Sequence, residues 1–321
     1  MNTIKISLLK NLTTEQHNPA IVDIHDDYIF GEKVKIANPC NLNIFITNTC
    51  QNNCFFCINK NKGTALDYGP YLSSLENVLY ELDGKGIECT ITGGEPTILP
   101  NLLIQVMGLV HRHNIHCRTF STSGYNLIKK PEILKAMMDF GFTHNINISR
   151  MHYDEKINSS IMGPQNITND DIKKLALFFK MHDAEMRISC NLIPGCIDSA
   201  LEVTKFTEYY SDLGVETVMF RELVGDYYHG RYAGLMQNIA ETITSNVTAS
   251  DTICDDTYQI DMYRYLNKLI KVYTHKANGH KNCSYVNEQY DPNNKPITSL
   301  SFVNGILREG FDGRIFGGIR K

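Results

Sequence analysis

Short apolar runs rich in β-branched residues recur along the first two thirds of the chain, at Asn43–Thr47, Glu88–Thr92, Cys117–Ser121, His144–Ser149, Met186–Leu192 and Thr217–Phe220. Each has the length of a strand and a composition that suits a pleated surface. Between them, Tyr71–Leu82, Leu102–His113, Pro131–Met138, Asp170–His182 and Ala200–Leu213 carry apolar residues at helical spacing against a polar remainder. Strands alternating with helices predict the α/β class, a parallel sheet with its helices outside. Six such strands are too few to close an eightfold barrel.

Outside this alternation the pattern changes. Ile21–Ile36 reads as a hairpin, so residues 1–40 are expected to form an N-terminal cap, and residues 41–225 the alternating core. Residues 226–321 are expected to be helical around Tyr258–His275. They would then end in a hairpin over Asn304–Phe316 with an Asp312-Gly313 turn, closing the side where substrate enters. The aromatic group Tyr227, Tyr228, His229, Arg231 and Tyr232 suits packing at a domain junction better than binding of a planar substrate.

Composition narrows the class. With 42% hydrophobic residues, 321 residues supply a large core. A formal net charge of −4 leaves no general footprint for nucleic acid. Met1–Gln16 has no secretory pattern, and no apolar run approaches the roughly 18 residues of a membrane span. A cytoplasmic location is expected, with the ten cysteines reduced or bound to metal.

The chemistry begins at Cys50, Cys54 and Cys57, spaced C-x3-C-x2-C directly after the first strand, with Phe56 just before the last cysteine. Three thiolates on one short loop can hold three irons of a 4Fe–4S cluster and leave the fourth iron open. A structural zinc site asks for four ligands, commonly two C-x2-C pairs, and only Cys54 and Cys57 form such a pair here. About forty residues on, Cys89-Thr-Ile-Thr runs as a strand into Gly93-Gly94-Glu95-Pro96, where glycines allow close approach of backbone to a ligand.

Cysteine triplet and Gly-Gly-Glu-Pro, in this order and at this distance, resemble the radical S-adenosylmethionine (SAM) superfamily. The resemblance implies a partial (β/α)6 TIM-like barrel with a small C-terminal extension. It implies one 4Fe–4S cluster on Cys50, Cys54 and Cys57, whose open iron chelates SAM. Gly93, Gly94 and Glu95 match the segment that binds the SAM amino group. Phe120-Ser-Thr-Ser-Gly124 looks like the Thr-Asn-Gly turn of the superfamily, with Thr122 as its hydroxyl residue, and Ser149 matches a serine that touches the SAM carboxylate or ribose. Each is equally readable as an ordinary turn or strand-end hydroxyl.

Arg187 lies inside an apolar strand, a costly place for a charge without an anion. It falls where the molybdenum-cofactor GTP cyclase group has a residue that pairs with the SAM carboxylate. The other reading is an ion pair with Glu202 or Asp198. Ser189 and Asn191 share its face and can reach the ribose, and Leu192 or Ile193 can flank the adenine. The barrel looks most like that cyclase group, but its second-cluster cysteines are missing: only Cys254 and Cys283 lie beyond the core.

What the resemblance implies is reductive cleavage of SAM, with electrons from a flavodoxin or ferredoxin-type donor. The resulting 5′-deoxyadenosyl radical then abstracts hydrogen from a small-molecule substrate, a nucleotide or an amino-acid-derived intermediate. The alternatives are a maturase of a ribosomally made peptide and, from another class, a non-catalytic iron–sulfur or zinc protein.

Overall fold

A computed structural model describes residues 23–57, 59, 68–223, 248–254, 258–265, 268–275, 296–310 and 313–318. In chain order the elements begin with β1 (Asp23–Ile29), β2 (Glu32–Phe45), α1 (Tyr68–Leu82), β3 (Ile87–Thr92), α2 (Pro100–Arg112), β4 (His116–Thr122) and α3 (Pro131–Asp139). They continue with β5 (Ile146–Ser149), α4 (Glu155–Met162), α5 (Asn169–Met181), β6 (Met186–Leu192), α6 (Ala200–Asp212) and β7 (Thr217–Glu222). Among the described residues the remaining elements are strands: β8 (Thr248–Cys254), β9 (Tyr258–Tyr265), β10 (Lys268–His275), β11 (Ile297–Val303), β12 (Ile306–Glu309) and β13 (Ile315–Gly318). All six strands and five helices expected from the apolar pattern are present. The fold is mixed α/β with a largely parallel sheet that is not closed, as in a partial TIM-like barrel.

The chain divides into two compact units, one of Asp23–Arg150, Asp154–Arg187 and Asp291–Lys321, the other of Met1–Val22, Met151–Tyr153 and Ile188–Tyr290. In the first, β2, β3, β4 and β5 run parallel side by side. β1 pairs antiparallel with the first half of β2, giving the expected N-terminal hairpin. β11 lies parallel to β2 on its other side, and β12 and β13 extend that edge antiparallel. The C-terminal hairpin therefore joins the sheet as β12–β13. Its proposed turn residue Asp312 lies outside the described residues, as do Tyr227, Tyr228, His229, Arg231, Tyr232 and Cys283.

In the second unit β10 pairs parallel with β7 and antiparallel with β9, which pairs with β8. Here the helix expected around Tyr258–His275 is corrected: β9 and β10 are an antiparallel pair. Tyr-Gln-Ile-Asp-Met-Tyr-Arg-Tyr and Lys-Leu-Ile-Lys-Val-Tyr-Thr-His are dense in β-branched and aromatic residues, which favour strands over helices.

The first unit's sheet has two chemically different faces. On one, Leu42, Ile44, Cys89, Ile91, Ile146, Ile148, Leu300 and Phe302 are fully buried. Helix α1 covers this face: the Tyr71 ring lies 5.1 Å from that of Phe302, and its hydroxyl donates to the Phe45 carbonyl at 2.9 Å. Each large side chain so buried contributes about 1.5–3 kcal/mol. The other face is polar, where a closed barrel would be filled with branched apolar side chains. Asn41 donates to Asn43 at 3.0 Å, Asn43 donates to Ser299 at 3.1 Å, and Thr90 donates to Asn41 at 2.9 Å. Farther along, Asn147 donates to Ser121 at 3.3 Å.

Candidate functional site

Directly after β2 the chain leaves the sheet as the cysteine loop, and the segment after β3 stitches it in place. The Gly94 N–H donates to the Thr47 carbonyl at 2.6 Å, and the Glu95 N–H to the Thr49 carbonyl at 2.9 Å. Only glycine permits this approach: a Cβ on Gly93 would come within 2.5 Å of the Thr47 oxygen, and one on Gly94 within 2.2 Å of the Thr49 oxygen. Gly93 also takes a backbone φ of +145°, a region side chains disfavour. Asn59 donates to the Gly93 carbonyl at 2.7 Å from the far end of the loop.

On the loop's other flank the Asn53 N–H donates to the Met162 carbonyl at 2.9 Å, at the end of α4, and the Cys54 thiol lies 3.7 Å from the same oxygen. The Cys57 N–H closes a turn onto the Cys54 carbonyl at 3.1 Å. Cys50, Cys54 and Cys57 are half-buried, and none of them is in a disulfide. Burial pushes the Cys50 thiol above its ordinary pKa, and a hydrogen bond from the Asn52 N–H holds it back.

Among the described residues no three His, Cys, Asp or Glu side chains converge tightly enough for a single metal ion. Three soft thiols on one anchored loop are the donor set that three irons of a 4Fe–4S cluster take. Phe56 is half-buried and meets the exposed Phe55 edge to face at 5.3 Å.

Glu95 is the hub behind the loop. It is 1% exposed, and its carboxylate accepts from the Thr97 N–H at 3.1 Å, the Thr97 hydroxyl at 2.6 Å, the Thr122 hydroxyl at 2.5 Å and the Ser123 N–H at 2.6 Å. Thr122 accepts in turn from the Gly124 N–H at 3.0 Å. Gln51, between the first two cysteines, donates to the Ser123 hydroxyl at 2.9 Å. The loops after β2, β3 and β4 are thus tied into one body, with the Glu95 and Thr122 side chains turned into it.

Ser149 ends β5, half-buried. Its neighbour Arg150 is 1% exposed and donates to the Ile167 carbonyl and to Asn169, each at 2.8 Å. The local sign of this buried arginine in the sequence is a charge directly at a strand end. Arg187, 5% exposed, donates through Nε to Asn147 and through Nη1 to Asn145. Its amide partners lie on and just before β5, while Glu202 accepts from Lys205 at 2.8 Å and Tyr153 at 3.1 Å, and Asp198 accepts from the Gly195 N–H at 2.6 Å. Ser189 and Asn191 belong to the second unit, half-buried on β6, where the Asn191 N–H donates to the Met151 sulfur at 3.4 Å. Leu192 and Ile193 are core residues.

Comparison with known proteins gives this arrangement its family. The sequence pattern described as the Radical SAM superfamily matches residues 44–204, half of the chain, spanning the cysteine loop, the Gly-Gly-Glu-Pro segment and Arg187. No curated protein sequence matches the chain. Among solved structures, Streptococcus suis SuiB bound to S-adenosylmethionine is similar at a TM-score of 0.61 and 17% identity, over 87% of this chain and 63% of that one. SuiB bound to its precursor peptide SuiA is similar at 0.57 and 16% identity, over 84% of this chain and 59% of that one. This chain therefore spans less than two thirds of SuiB's length. None of these likenesses bears on the molybdenum-cofactor GTP cyclase group. Among the described residues no helix is long and apolar enough to cross a membrane. With its cysteine loop and glycine segment inside the matched half, the chain belongs to the radical SAM superfamily, enzymes that use a 4Fe–4S cluster and SAM.

Proposed function

We propose that this chain binds one 4Fe–4S cluster through Cys50, Cys54 and Cys57 and cleaves SAM reductively to take hydrogen from a small substrate bearing neutral amide or hydroxyl groups. The observation that carries the reading is the double hydrogen bond joining Gly94 and Glu95 to Thr47 and Thr49, which fixes the Gly-Gly-Glu-Pro backbone against the cysteine loop. When bound, the cluster supplies the low-potential electron for cleaving the sulfonium, delivered by a flavodoxin or ferredoxin-type donor. The protein's own part is orientation and exclusion of water.

In this reading Gly93 and Gly94 present backbone to the SAM amino group, while Glu95 and Thr122 hold that backbone from behind. Phe56 packs beside the cluster, and Ser149 meets the carboxylate or ribose. Arg187, its guanidinium held by Asn145 and Asn147, pairs with the SAM carboxylate. Arg187→Met is expected to weaken SAM binding about tenfold to a hundredfold with iron content unchanged, since a charge-assisted contact contributes about 1.5–3 kcal/mol. Loss of stability at unchanged SAM affinity would assign it a structural role instead.

The polar face of the first unit's sheet supports the substrate class. Asn41, Asn43, Thr90, Ser121, Asn147 and Ser299 offer the neutral donors and acceptors that amide and hydroxyl groups pair with. A second reading, a peptide substrate, is favoured by the likeness to SuiB, one of whose structures holds a precursor peptide. Deuterated candidates separate the two. Label from amino-acid-derived small molecules should appear in 5′-deoxyadenosine; transfer only from a peptide would replace the small-molecule reading with the peptide one.

A further inference from the structure

We infer that Asn304, in the turn between β11 and β12, is a positioning residue for the cysteine loop, acting through Asn48; this rests on the reading of that loop as the cluster site. Asn48 lies two residues before Cys50, and its Nδ2 donates to Asn304 Oδ1 at 2.8 Å, across 256 residues of sequence. Thr47 and Thr49, on either side of it, accept backbone bonds from Gly94 and Glu95. Residues 47–49 are therefore gripped twice, through backbone by the glycine segment and through a side chain by the hairpin.

The hairpin is a firm support. Phe302 pairs with Ile44 in the parallel β11–β2 register, which carries the following turn to the level where the cysteine loop leaves the sheet. The Ser74 hydroxyl, buried on α1, donates to the Gly305 carbonyl at 2.8 Å, and Asn43 donates to the Leu300 carbonyl at 3.2 Å. Asn304 and Gly305 take φ of 53° and 79°, the left-handed pair of a type I′ turn. Asn-Gly is a favoured sequence for that turn, and only the Asn supplies a side-chain oxygen.

This geometry offers a clean test. Asn304→Gly keeps the turn conformation and removes the side-chain oxygen that accepts from Asn48, and Asn304→Asp keeps both the turn and the acceptor oxygen. In apo protein, hydrogen exchange of the amides in residues 46–57 should quicken about threefold to tenfold in Asn304→Gly and return to the wild-type rate in Asn304→Asp. After anaerobic reconstitution, Asn304→Gly should keep full iron, bind SAM about threefold to tenfold more weakly, and show an altered electron paramagnetic resonance signal on adding SAM.

Wild-type exchange in Asn304→Gly overturns the inference. So does quicker exchange with unchanged SAM affinity, or quickening spread evenly over the whole chain. If wild-type protein loads no cluster, the functional reading fails, and the apo exchange alone still decides whether the hairpin positions the loop.

Discussion

Glu95→Ala is expected to cost about 3–5 kcal/mol of stability, a large part of the roughly 5–15 kcal/mol that holds a typical domain folded. The carboxylate is 1% exposed and accepts from two backbone N–H groups, on Thr97 and Ser123, and from the Thr97 and Thr122 hydroxyls. The hydroxyls can turn to other acceptors, but the N–H groups cannot. Each left unpaired in the interior costs about 1–3 kcal/mol, and the void left by the side chain adds to that.

Glu95→Gln sharpens the argument. Its carbonyl can replace the oxygen that takes three bonds, but its amide nitrogen then faces the Ser123 N–H, donor against donor. A loss of about 1–3 kcal/mol is expected. Urea denaturation of the apo protein reads both variants without involving the cluster. A Glu95→Ala midpoint within error of wild type would mean that the three loops do not depend on this hub. In reconstituted protein the same variant should hold less iron, because the segment clamping the cysteine loop is no longer fixed.

Much of this was legible in the sequence, for local reasons. The six strand runs and five amphipathic helices carry their own periodicity, and Cys50, Cys54 and Cys57 sit where a strand gives way to polar Asn and Gln. Failures follow where local signal is weak or the partner is remote. Helix α4, Glu-Lys-Ile-Asn-Ser-Ser-Ile-Met, is eight residues with little apolar stripe; its start is set by Asp154, whose carboxylate caps the Lys156 and Ile157 N–H groups at 2.8 and 3.0 Å. Strands β9 and β10 were misread because short apolar runs with flanking charges fit either periodicity until pairing decides.

The site shows the same division. Glu95 and Thr122 were identified as site residues, but their mutual hydrogen bond depends on how the loops after β3 and β4 meet, which spacing cannot reveal. Arg187 was expected to face an anion or an acidic side chain. Its amide partners, Asn145 and Asn147, became visible only once the strands were placed. Asn304-Gly305 was read as the first residues of a strand, when the pair is itself a turn and touches the loop that carries the cysteines.

The most direct measurement pairs iron and sulfide analysis with product analysis after anaerobic reconstitution, on wild type and on the Cys50→Ala, Cys54→Ala, Cys57→Ala triple variant. Wild type should bind about four irons and, with dithionite, convert SAM to methionine and 5′-deoxyadenosine. The triple variant should hold no cluster and form neither product, because thiolates are the cluster's ligands. SAM cleavage persisting in the triple variant, or a wild-type protein that binds zinc in place of iron and cleaves no SAM, would contradict the assignment of these three cysteines.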